Sequence, residues 1–115
     1  MAQSHRDSAL PLWILTLYFG LAAPIQEEII FRGLLQSFLE QRWVTPGRVL
    51  GVPTSPAVLV AATLFGLVHF DGGPAVAACA LVLGLLAGEL RRRSGSLVPA
   101  IIAHALFNLP GLMWP

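Results

Sequence analysis

Five apolar runs dominate the chain: Ala9 to Ala23, Pro24 to Leu39, Pro56 to Phe70, Pro74 to Leu90 and Leu97 to Met113. They show no period-2 alternation and are rich in Ala, Leu and Gly, so they predict helices rather than strands. Pro24, Pro56 and Pro74 each open a run, where a missing N–H costs least, and Pro99 falls in the first turn of the last. At 15 to 17 residues apiece the helices would be roughly 23 to 26 Å long, a little short of the ~30 Å hydrocarbon core, which calls for slight local thinning. Charge points to the same solvent. Seven Arg, no Lys and six acidic residues make up 11% of the chain, against roughly 25% in an ordinary soluble domain. The expectation is an all-α integral membrane protein, a bundle of about five short transmembrane helices in one domain spanning 9–114, after a tail at 1–8.

Other classes fall away on composition. A net charge of +1 with no sustained basic stripe excludes a nucleic-acid partner. The single cysteine, Cys79, has no partner for an internal disulfide and is expected to pack in the fourth run. Gly84 and Gly88 form a GxxxG there, read as ordinary small-residue packing. His5 and Arg6 before an apolar stretch resemble a signal peptide, but Pro24 directly after the small residues is an awkward cleavage neighbour. If arginine-bearing segments stay on the cytoplasmic side, the N-terminus, the Arg42/Arg48 loop and the Arg91 to Arg93 loop all lie inside, with Asp71 and the C-terminus outside.

Ten of the charges mark ends and loops; Glu27, Glu28 and Arg32 do not. They sit together early in the second run, where each charge at a helix centre would cost on the order of 2.5 to 3.5 kcal/mol unless paired or facing a wet cavity. Glu28 and Arg32 are four apart and predict an ion pair. Glu27 points about 100° away, so its partner has to come from another helix. His69 ends the third run, one turn after Phe65, and His104 and Asn108 share a face of the fifth. A carboxylate beside a histidine makes a water-activating base. A second His and an Asn are donors suited to a developing oxyanion. The rival chemistry is zinc held by Glu27, His69 and His104, with a fourth position open to water. No nucleophile motif competes: Ser37 is not in G-x-S-x-G, and nothing surrounds Cys79.

Glu27-Glu28-x-x-x-Arg32-Gly33, Phe65-x-x-x-His69 and His104-x-x-x-Asn108, in this order and on three helices, resemble the three motifs of the CPBP intramembrane protease family. That family includes the CAAX-processing prenyl-protein endopeptidases and Abi-type bacterial proteins. The resemblance implies a glutamate-type endopeptidase: Glu27 and His69 activate water, His104 and Asn108 form the oxyanion hole, Glu28 and Arg32 support, and Phe65 packs under the histidine. It also implies a membrane peptide or protein substrate, lipid-modified or not, no cofactor, and the plasma membrane of a prokaryote. Family members usually carry further helices, so this chain is expected to be a minimal or truncated core, its missing helices supplied by a partner or a second copy. Two alternatives stand beside this reading, a metal-dependent version of the same protease and a non-catalytic, immunity-type binding or scaffolding protein. A proton or ion pathway fits less well, because the ionisable groups gather at one end.

Overall fold

Pro24 does not begin a helix. In the computed structural model, which describes residues 10–43 and 48–113, the first two apolar runs form one rod, α1 (Leu12–Arg42). An interior proline normally breaks a helix by removing one N–H and pressing on the preceding turn. Here the turn before it, Tyr18–Ala22, is π-helical, and the wider winding of i→i+5 bonds, with Gly20 inside it, gives the ring room. The described residues therefore contain four long helices, not five: α1, α2 (Pro56–Val68), α3 (Pro74–Ser94) and α4 (Val98–Met113), plus a 3₁₀ turn at Phe70–Gly72. The extended pairing among them is one isolated bridge, Val49 with Val52. The tail 1–8 lies outside the described residues.

The other helix starts follow the sequence. Ser55 caps α2, its hydroxyl accepting from the Val58 N–H at 3.2 Å, and Pro56 takes the first helical position. Gly73 at φ 100° precedes Pro74 at the start of α3, and Gly95 at φ 70° ends that helix in the left-handed conformation. Among the described residues, nothing lies within 4 Å of a Cβ at Gly95, so Gly95→Ala isolates the backbone strain. It should cost about 1 to 2 kcal/mol, read as a lower thermal midpoint in detergent, with no change in side-chain packing.

Among the described residues, two helices are long and apolar enough to cross a bilayer, α1 with 31 residues and α3 with 21. They measure about 46 and 31 Å, so α3 matches the hydrocarbon core while α1 tilts or projects beyond it. The surface is oily: Leu12, Trp13, Leu34, Val82 and Leu106 are each more than 60% exposed. The interior holds Glu28, Arg32, Gln36 and His104 among small residues such as Ala57, Ala61, Ala62, Ala87 and Ala100. This inversion suits lipid outside and polar contacts within.

Contacts fix the helix directions. Arg32 and Gln36 of α1 meet Gly84 and Gly88 of α3, so these two run parallel; α2 passes Ala62 and Val58 against the same glycines in the opposite sense. Asn108 of α4 reaches Phe19 while Leu97 touches Gly33, so α4 is antiparallel to α1. Arg42 and Arg91 to Arg93 thus share one end, where Arg92 binds Glu89 and the Pro53 carbonyl. Because α1 is unbroken, Leu12 lies at the opposite end from these arginines. That corrects the placement of the N-terminal side of the first run on the arginine side. Cys79 is exposed, which corrects its expected packing.

Candidate active site

Near the middle of α1, Glu27 presents its carboxylate to two histidines. Oε2 lies 3.0 Å from Nε2 of His104 and Oε1 lies 3.8 Å from Nε2 of His69. The partner required by its lone charge thus comes from other helices. Glu28 forms the expected pair with Arg32, at 3.3 Å, and also meets Nδ1 of His104 at 2.9 Å. His104 is therefore held between two carboxylates, a contact spanning 76 positions. A neutral imidazole has one N–H, so satisfying both contacts takes one further proton, on His104 or on a carboxylate. With that proton, Glu27, Glu28, Arg32 and His104 carry no net charge together, the condition that a low-dielectric interior favours.

His69 is oriented by its own helix. Its Nδ1 lies 2.6 Å from the Phe65 carbonyl, which only accepts, so Nδ1 carries a hydrogen and, in the neutral ring, Nε2 turns a lone pair toward Glu27. Phe65, 1% exposed, stacks beneath: its ring centre is 4.5 Å from His69, 5.5 Å from His104 and 5.1 Å from Phe31. The Arg32 guanidinium covers the same ring at 4.7 Å.

Asn108 is placed by the break that Pro24 makes in the backbone ladder. The Ala23 N–H bonds the Tyr18 carbonyl in the π turn. The next partner in that pattern, for the Phe19 carbonyl, would be residue 24, and proline has no N–H. Asn108 supplies the donor instead, its amide bonding Phe19 O at 2.9 Å. Phe19 and Pro24 carry no catalytic signal in the sequence, and only the proline hints that a carbonyl nearby wants a partner.

The four candidate catalytic side chains, Glu27, His69, His104 and Asn108, line one cavity of about 430 Å³ with Tyr18, Phe19 and Ala23. A second cavity of about 310 Å³ shares His69, His104 and Asn108 and is otherwise mostly apolar, with Phe65, Val76, Cys79, Leu83 and Phe107. Among the described residues, no three His, Cys, Asp or Glu side chains are grouped so as to hold a metal ion. Over residues 9–110 the sequence matches the family model described as type II CAAX prenyl endopeptidase Rce1-like. The chain belongs to the Rce1-like family. No curated protein and no solved structure matches it. Membership places it among membrane-embedded CAAX-type proteases, in agreement with the motif resemblance, and the matched span takes in all three motifs.

Proposed function

We propose that this Rce1-like chain hydrolyses a peptide bond inside the membrane with a water activated by Glu27 and His69. The supporting observation is the pair of acceptors that face one cavity, Glu27 Oε1 and the bare Nε2 of His69, 3.8 Å apart. A water that touches both loses a proton to one of them as its oxygen attacks the substrate carbonyl carbon, and the same group returns that proton to the departing amine. The carbonyl oxygen, as it becomes an oxyanion, takes hydrogen bonds from the Nε2–H of His104, shared with Glu27, and from the second amide hydrogen of Asn108. No atom of the protein bonds to the substrate, so the new carboxylate carries one oxygen from solvent. The substrate that the family implies is a prenylated C-terminal peptide.

The test is cleavage of a farnesylated CAAX peptide by purified protein in detergent, in ¹⁸O-labelled water, with and without chelator. One labelled oxygen in the product and full activity in chelator are expected; loss of activity in chelator, restored by zinc, would replace the proposal with zinc on Glu27, His69 and His104. Binding of the peptide without cleavage would favour the non-catalytic reading.

A further inference from the structure

The side chains of Glu28, Arg32 and Gln36 are all fully buried, stacked at intervals of four along α1. In an α-helix, residues four apart drift around the axis by about 40° per step. The segment Ile29–Gln36 is π-helical, and a helix bonded i→i+5 takes more than four residues per turn, so its drift has the opposite sign. The contacts of Arg32 with Glu28 and Gly84 and of Gln36 with Gly88 put the three groups in one column. Gln36 closes it, its amide donating to the Gly88 carbonyl at 3.0 Å and to Glu40 at 3.2 Å.

The column has little to hold it by hydrogen bonding. Among the described residues, Nε and Nη2 of Arg32 have no hydrogen-bond partner, nor has Oε1 of Gln36. Arg32 is confined instead by shape, between the Phe65 ring and the backbone of α3. A Cβ at Gly84 would stand 3.1 Å from Arg32 Nη2, and one at Gly88 would stand 3.0 Å from Gln36 Oε1. The GxxxG of α3 thus admits the polar column as well as the neighbouring helix.

The geometry points to Gln36 and Gly84 as positioning residues for His104. Gly84 leaves the room that Arg32 Nη2 occupies, Gln36 anchors the next buried position of α1 to the Gly88 carbonyl, Arg32 pairs with Glu28, and Glu28 holds Nδ1 of His104 so that Nε2 aims at Glu27. This rests on the proposed water activation, within which His104 serves the oxyanion. Neither positioning residue touches the substrate cavity, so their loss acts on turnover and not on substrate affinity.

Two variants read this out, Gly84→Ala and Gln36→Met, each measured for kcat, KM, the pH profile of kcat and the imidazole ¹⁵N resonances of His104. Both should lower kcat roughly 10- to 100-fold, the scale of a small misplacement at the reacting centre, with KM within about twofold. The pH profile should shift, and the His104 resonances should move away from those of the wild type. A Cβ at Gly84 also meets Ala62, at 3.0 Å, so the rescue decides the cause. Arg32→Lys, one atom shorter, should restore part of the turnover of Gly84→Ala; restoration by Ala62→Gly alone would mean helix packing and would overturn the inference. Where Gly84→Ala does not fold, Gln36→Met carries the test alone. Unchanged His104 resonances in both variants overturn the positioning role whether or not the protein cleaves. A wild type that cleaves nothing overturns the proposed function, and the resonances still judge the positioning.

Discussion

Glu27→Gln should leave a protein that inserts and folds but cleaves at least ~10²- to 10⁴-fold more slowly, the usual contribution of a positioned acid or base. The amide keeps the size of the carboxylate and can still bond Nε2 of His104, 3.0 Å away, so little packing is lost. What disappears is the group that takes a proton from water opposite His69. The measurement is product by mass spectrometry, beside a size-exclusion profile to establish folding. His69→Asn should cost a similar factor, and the double variant little more than the worse single one, because two groups that act as a unit are not additive. Cleavage by Glu27→Gln within tenfold of wild type would end the proposed mechanism.

Arg32→Met should be the most destabilising of the column substitutions. Arg32 is fully buried, and its side chain's polar partner among the described residues is Glu28. Without it, Glu27 and Glu28 lose the fixed positive charge beside them. Removing one member of a buried pair costs about 3 to 5 kcal/mol, mainly through the charge left behind, and the cation over the Phe65 ring is lost as well. The expected result is a large fall in the detergent melting temperature, followed by tryptophan fluorescence. Glu28→Gln placed on top should recover most of that fall, since it removes the stranded charge. A double variant no more stable than Arg32→Met would mean that the pair is not what holds the column.

The local part of this architecture is legible in the sequence. Four-residue spacing predicts the Glu28–Arg32 pair, and serine with proline marks the start of α2. The solitary charge of Glu27 requires a partner from another helix, which the contacts with His69 and His104 supply. What is not legible depends on winding. Pro24 reads as a helix start by every local rule, and only the π turn before it lets α1 continue, so the helix count and the side on which α1 begins follow from a backbone detail without a composition signal. The contact of His104 with Glu28 is equally hidden, since nothing in either segment specifies the other. Gln36 does carry a sequence signal: it repeats the spacing of Glu28 and Arg32 by another four residues, and a buried amide there needs a partner.

The inverted interior bears on how such a chain is made. α1 leaves the ribosome before α4, carrying two carboxylates and a guanidinium that lipid rejects, while the histidine that bonds both carboxylates is synthesised 76 positions after Glu28. Until α4 arrives the segment cannot rest stably as a lone span, so membrane integration of α1 is decided by a helix made after it.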